Sequence, residues 1–348
     1  MIVKSHTYAI LSPALDQSLT IARLLRTYYP RTYIVGVLQD DDDSGLHSLY
    51  DGIVPVSQLT IRDDTTIIPT GAKATRFMLE RGNITLGAIT LTQPALRVYD
   101  KLWMISLAAS ISVPTPITWR RLSEVATYPI FYKVSEEWGG GVRGVAFSAI
   151  EVPLEVQDKL LFQELISGKG TYGVSFLADR GQLLAYHSHF EQESIPKEGG
   201  SAVIIKHFFD DRLLKYTQRL VEALTYSGWG LAEYKYCPRR KDFIFMEINA
   251  KFWASCAFTF RNNPAFLKLL FNIDSKEVPC QTMVFVERAF MRGLPFVISH
   301  FPEFLNSNAL YSHPGWMRRI IAQMLPSSLR QYVRRLKSRA LPDATSIK

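Results

Sequence analysis

Phe243-Ile244-Phe245-Met246-Glu247-Ile248-Asn249-Ala250-Lys251 is the stretch on which the reading of this chain turns. It has the makeup of a β-strand, with acid and amide groups set into an apolar ladder. Side chains alternate between the two faces of a strand. The alternation predicts that Phe243, Phe245, Glu247 and Asn249 share one face, and Ile244, Met246 and Ile248 the other. A carboxylate buried without a partner is costly. A positive group therefore belongs beside Glu247, and a divalent cation is the leading candidate.

The preceding segment, Trp229–Tyr236, alternates too, and Cys237-Pro238-Arg239-Arg240-Lys241-Asp242 reads as a turn. A hairpin folded about Arg240 puts Glu233 directly opposite Glu247. Like charges across a ladder repel, and a metal ion bridging the two carboxylates removes the conflict. Two carboxylates, an amide oxygen, water and substrate phosphates are the ligand set magnesium prefers. The alternative is a solvated acidic hairpin in a slipped register.

Composition sets the frame. With 348 residues, 47% hydrophobic and 21% charged, the chain is of ordinary globular type and long enough for two or three domains. No apolar run reaches the length of a membrane span, and the N-terminus lacks the layout of a secretory leader. Cys237, Cys256 and Cys280 are an odd count without C-x-x-C spacing. That argues against a disulfide framework or zinc site and predicts a reducing, cytoplasmic location. The net charge of +8 suits anionic partners, but much of it lies near the C-terminus and need not describe the active centre.

Along the chain, residues 7–11 and 33–38 read as buried strands. Leu15, Leu19, Ala22, Leu25 and Tyr28 recur between them at helical spacing. This β-α-β start implies an α/β N-terminal domain with a parallel sheet. It lacks the G-x-G-x-x-G turn of dinucleotide-binding folds, so a nicotinamide or flavin role is not expected. The acidic run Asp40–Asp43 reads as a solvated loop. A helix from Lys101 to Ser110 is stopped by Val113-Pro114-Thr115-Pro116. Ile130–Val134 is a short strand, followed by the glycine-rich loop Trp138–Gly144. Further strands are expected at 160–166, 172–178 and 183–187, and helical segments at 211–226 and 263–271.

In the tail, His313–Arg339 interleaves seven Lys and Arg residues with Trp316, Met317, Ile320, Leu329 and other apolar side chains. A basic amphipathic helix of this kind lies on an anionic membrane surface or, in the plainer reading, packs on its own protein.

Lys133 ends a strand and precedes Gly139-Gly140-Gly141. Backbone amides approach phosphate oxygens closely where no side chain intervenes, and a lysine beside them supplies a point charge. The order of lysine strand, glycine loop, Gln163-Glu164-Leu165-Ile166 and acidic hairpin resembles the ATP-grasp superfamily over most of residues 1–275. Asp100-Lys101 with Val113-Pro114-Thr115-Pro116 resembles that family's D-K…(I/V)-P-x-P entry.

The resemblance implies a two-lobed α+β ATP-grasp fold after the N-terminal domain. Its segments would be 1–98 before the grasp fold, 99–166 as the small lobe and 167–275 as the large lobe. A C-terminal extension, 276–348, would carry basic amphipathic helices. It further implies that Lys101, Lys133, Gly139, Gly140, Gly141, Gln163, Glu164, Leu165, Ile166 and Thr171 line the ATP site. Glu233, Glu247 and Asn249 would hold Mg²⁺, with Mn²⁺ as an alternative ion.

Within the superfamily, Glu247-Ile248-Asn249-Ala250-Lys251-Phe252-Trp253-Ala254-Ser255 resembles the E-I-N-x-R-F-W-G-S run of carbamoyl-phosphate-synthase-like carboxylate–amine ligases. That branch is often met near bacterial surface-polysaccharide genes. Three departures stand out. Lys251 replaces the usual arginine, whose planar fork lysine cannot copy, Thr171 stands where many members carry a ribose-binding acid, and Glu191 and Ser194 fall where that branch leads one to expect basic and acidic partners.

The implied activity joins a small-molecule carboxylate to an amine through an acyl phosphate, releasing ADP and phosphate. Lys133, Lys251 and Arg143 would serve the chemistry, and His189, Ser255 and Arg261 the acceptor. His187 and His189 share a strand face, as a transition-metal pair or, more plainly, as a polar edge facing the cleft. Nucleic acid is not an expected partner, and membrane contact would run through 313–339 at the cytoplasmic face. Two other readings stay open: an ATP-binding module without turnover that acts as partner or sensor, and a basic peripheral membrane binder.

Overall fold

Thr7–Leu11 (β1) and Tyr33–Leu38 (β2) pair in parallel around Asp16–Tyr28 (α1). Gly52–Pro55 (β3) and Thr65–Pro69 (β4) complete a four-stranded parallel sheet in the order β3-β2-β1-β4, followed by Ala72–Leu79 (α2). The computed structural model describes residues 6–39, 49–136, 141–196, 200–275, 277–306 and 309–312. The Asp40–Asp43 run, Gly139, Gly140 and the basic segment 313–339 lie outside them. Among the described residues no helix is long and apolar enough to cross a membrane.

Helix α1 buries more than the one stripe its periodicity predicts. Gln17, Ser18 and Thr20 are buried along with Leu19, Ala22 and Leu25. The second face packs against the C-terminal part of the chain: Tyr311 donates its hydroxyl to Asp16 O at 2.7 Å, and Arg288 pairs with Asp16.

Two short strands, Ile84–Leu86 (β5) and Ile89–Leu91 (β6), form a hairpin ahead of Lys101–Ser110 (α3). Asp100 caps α3 by accepting from Trp103 N at 2.9 Å. Next come Thr118–Trp119 (β7), Ile130–Val134 (β8), Arg143–Ala146 (β9) and Leu160–Glu164 (β10), which form a four-stranded antiparallel sheet in the order β7-β10-β8-β9.

The large sheet has seven strands. Thr171–Asp179 (β11), Gln182–Ile195 (β12) and Ser201–His207 (β13) precede Asp211–Ala223 (α4). Gly228–Cys237 (β14) and Asp242–Asn249 (β15) follow, and then Cys256–Asn262 (α5) and Ala265–Phe271 (α6). Thr282–Phe285 (β16) and Ala309–Tyr311 (β17) add two more strands beyond β13, in the order β15-β14-β11-β12-β13-β16-β17. The edge strand β15 is covered by the proline segment, whose Pro114 carbonyl accepts from Phe245 N at 2.8 Å. Such cover satisfies an edge that would otherwise invite pairing with another chain.

The β14–β15 hairpin corrects one expectation. Glu233 does stand opposite Glu247, but the register shifts by one residue toward the turn, where Tyr234 faces Phe245 and Tyr236 faces Phe243. Met246 is the extra residue of a β-bulge. Glu233 and Tyr234 lie on opposite faces of β14, so their partners Glu247 and Phe245 do too. The four residues Phe243, Phe245, Glu247 and Asn249 therefore do not share a face. The bulge sends Phe243 and Phe245 into the main core with Tyr234 and Leu213, and turns Glu247 and Asn249 the other way. The solvated, slipped hairpin is equally set aside: this one is half-buried and in register at the acids.

Candidate active site

Four elements bring charge to one point. Lys101 opens α3, Lys133 lies on β8, Glu233 on β14, and Glu247 and Asn249 on β15. Lys133 Nζ is 3.0 Å from Glu247 Oε2 and also donates to Met246 O at 3.3 Å. Lys101 Nζ is 3.4 Å from the same Glu247 oxygen. Asn249 Nδ2 donates to Glu233 Oε2 at 2.8 Å and to Glu247 Oε1 at 3.3 Å, so one amide ties the two carboxylates together. Both lysines are buried, each with about 6% of its surface exposed.

The electrostatics of the two acids differ. Burial pushes Glu247 up, but Lys101, Lys133 and Lys251 outweigh it and hold the carboxyl well below the usual range. For Glu233, burial first, then the charges of Glu247 and Glu191, push the carboxyl up to about 8 against the weaker pull of Lys251. Desolvation likewise lowers Lys133, with Lys101 adding to it and Glu247 opposing.

This donor set fits a hard divalent cation: two adjacent carboxylates and an amide whose oxygen can join them once its NH₂ turns away. Among the described residues no three His, Cys, Asp or Glu side chains converge as a metal cluster. Magnesium needs no such cluster, since it takes one or two carboxylates and completes its shell with water and phosphates.

The remaining predicted residues divide. Lys251 acts on both carboxylates through its charge. Arg143 is exposed on β9, directly across from Lys133. Gln163 is fully buried and donates to Thr118 Oγ1 at 3.1 Å, while its Oε1 has no partner. Glu164 is occupied: Arg239 and Arg240 of the hairpin turn pair with it, and Ile117 N donates to it at 3.0 Å. Its carboxylate thus clamps the small sheet to the hairpin.

Among the described residues, the backbone groups of Leu165 and Ile166 make no hydrogen bond, and the Ile166 side chain is buried with Cys237 and Ile244. Thr171 begins β11, opposite Glu191, and Gly141 follows the undescribed part of the loop. Ser255 is buried at the start of α5. Arg261 is not brought to the site; it points to Val278 O at 3.1 Å and to Glu277.

His189 lies on the carboxylate face of the large sheet, fully buried. Arg239 and Arg240 were legible as turn residues, but their pairing with Glu164 left no signal in the sequence.

No protein-family model matches the chain, and none of the curated proteins compared with it does. Solved structures do. A pyruvate carboxylase of Rhizobium etli superposes with a TM-score of 0.59 at 16% identity, over 80% of this chain and 30% of that one. The L-amino acid ligase of Bacillus licheniformis gives 0.56 at 13%, over 80% and 78% of the two chains. The biotin carboxylase domain of a Hydrogenobacter thermophilus 2-oxoglutarate carboxylase, solved with MgADP and bicarbonate, gives 0.56 at 12%, over 78% and 71%. At these identities the likeness is one of fold. The chain spans less than a third of the length of the pyruvate carboxylase it matches.

Proposed function

We propose that the chain is an ATP- and Mg²⁺-dependent ligase of the ATP-grasp type, joining a carboxylate to an amine. The observation that carries this reading is the convergence of Lys101, Lys133, Glu233, Glu247 and Asn249 from three elements of two sheets and a helix. The shared fold with an amino acid ligase and with a carboxylase domain solved with MgADP supports it.

On this reading ATP lies between the four-stranded antiparallel sheet and the seven-stranded sheet. Its adenine meets the free backbone of Leu165 and Ile166, and its phosphates meet Lys101, Lys133 and the loop that ends at Gly141. Glu233, Glu247 and Asn249 would hold the cation, which supplies charge neutralisation at the phosphates. Phosphoryl transfer needs positioning and electrostatics and no protein nucleophile. A substrate carboxylate oxygen attacks the γ-phosphorus, ADP leaves with the bonding pair, and an acyl phosphate results. The amine nitrogen then attacks the acyl carbon, phosphate departs with its electron pair, and the amine loses a proton. With Glu247 holding the cation, Lys133, which pairs with that carboxylate here, would meet phosphate oxygens.

The test is thermal stability with Mg²⁺ and ATP. The wild type should gain several degrees, and Glu247→Gln should lose most of that gain. Equal gains in both proteins would remove the reading. ADP release with a panel of acids and amines then separates a ligase from a nucleotide-binding module without turnover.

A further inference from the structure

Between β16 and β17 the chain forms three short helices, Val286–Met291 (α7), Leu294–Ser299 (α8) and Phe301–Asn306 (α9). Part of their apolar content is turned inward. Ala289, Phe296, Val297 and Phe304 pack with Val203, Ile204 and Val284 of the large sheet. The rest is turned out. Leu294 and Ile298 of α8, and Phe301 and Leu305 of α9, are between 55% and 74% exposed. Residues four apart lie on one face of a helix, so each of these two helices carries an apolar pair on its outer side.

Strand β17 adds to the same surface. Leu310 stands opposite Val284 of β16, while its neighbour Tyr311 packs with Phe285 and Met283 on the other side of the sheet. Successive strand residues alternate between faces. Leu310, which is 55% exposed, therefore points to the side of α8 and α9. Single exposed leucines are ordinary, but five large apolar side chains gathered on one side of a small segment mark a contact surface.

We propose that this α8–α9 face docks on an anionic membrane. Leu294, Ile298, Phe301, Leu305 and Leu310 would enter the boundary between headgroups and acyl chains, and the cations of the segment that follows would meet the anionic headgroups. The sequence placed membrane contact in 313–339 alone; the described residues add the apolar half. Segment 313–339 holds seven Lys and Arg and no Asp or Glu, and it starts three residues after Leu310. Apolar area plus basic charge is the pairing that interfacial anchors use, and each cation near an anionic leaflet adds to the attraction. Charge also selects lipid over the other occupants. The acids that anchor these helices are taken, Glu303 by Lys206 at 3.4 Å and Glu193 by Arg292 at 3.1 Å, so they offer the seven cations no counter-charge. A second copy seated face to face would bring two sets of like charge together. The inference is independent of the ligase reading, because it uses none of the residues of the candidate active site.

The experiment sediments the full chain with vesicles of phosphatidylcholine alone and of phosphatidylcholine mixed with phosphatidylserine. Binding to the mixed vesicles is expected, weakening as salt is added. Replacing Ile298→Ser together with Leu305→Ser keeps every cation and should lower the partition coefficient about tenfold or more. Both side chains are exposed, so this variant should melt with the wild type and keep its response to Mg²⁺ and ATP. Equal binding by variant and wild type would show the cations acting alone and would overturn the proposal. So would equal binding to both kinds of vesicle, or none to either. A second measurement locates the contact. Cys237, Cys256 and Cys280 are buried, so Ile298→Cys can be labelled selectively with an environment-sensitive fluorophore. Its emission should shift to the blue when mixed vesicles are added. A dye already in an apolar setting and unmoved by vesicles would mean that 313–339 or a second copy covers the face, and would refute the docking.

Discussion

Replacing Glu233 by glutamine should stabilise the metal-free protein, and the gain should depend on pH in a defined way. The Glu233 carboxyl is pushed up to about 8 by burial, Glu247 and Glu191, so it binds its proton more tightly folded than unfolded. Its contribution to stability is whole below about pH 4.5. It declines by about 1.4 kcal/mol per unit as pH rises toward 8, and is level beyond. The cost of the native acid is then about 3 kcal/mol at pH 7 and roughly 5 kcal/mol above pH 8. Glutamine carries no charge to desolvate, and its oxygen can still accept from Asn249 Nδ2. Urea unfolding in EDTA at pH 5, 7 and 8.5 measures the difference. Wild type and Glu233→Gln should match at pH 5 and diverge as pH rises. With Mg²⁺ and ATP the order should reverse, because the wild type alone gains the ligand. Parallel pH curves for the two proteins would refute the reasoning.

Three further outcomes are expected. Lys133→Met should cost more stability than Lys101→Met, by about 1–2 kcal/mol, because Lys133 makes a shorter contact with Glu247 and also holds the Met246 carbonyl at the bulge; thermal melts of the two variants check the order. Burial, then His189 and His207, lower the His187 ring to about 3, so its contribution is whole above pH 6.5 and is lost as pH falls toward 3. His187→Gln should accordingly flatten the acid limb of the stability curve, which unfolding at pH 6.5 and 4.5 would reveal. Gly168→Ala drives a methyl into the Tyr236 carbonyl oxygen, backbone that cannot yield, and should destabilise by about 3 kcal/mol or more, read as a lower melting temperature.

Much of the local structure was legible. The strands at 7–11, 33–38 and 130–134 and the helix at 101–110 have the predicted bounds, because apolar spacing and the Asp100 and proline signals act within a few residues. Turn position alone aligned Glu233 with Glu247. What escaped was decided at longer range. Strand β12 runs to Ile195, well past the expected end at His187, because β13 supplies a partner for its polar second half. The side chain of Glu164 is taken by Arg239 and Arg240, which lie in the hairpin turn at the end of another sheet. Arg261, placed near the acids by sequence proximity, turns away because Glu277 and the Val278 carbonyl offer it partners.

The sequence by itself determined the elements, the parallel start and the two acids facing each other, since period and turn chemistry are local properties of the chain. Tertiary structure alone decided which face those acids occupy. A bulge at Met246 breaks the alternation, and whether a strand accepts a bulge depends on what packs against it. Here an aromatic core claims Phe243 and Phe245 on one side, and two buried lysines from other elements claim Glu247 on the other. The same holds for Leu310: only its pairing with Val284 turns it to the side of α8 and α9, because register between separate strands is set by packing and not by period.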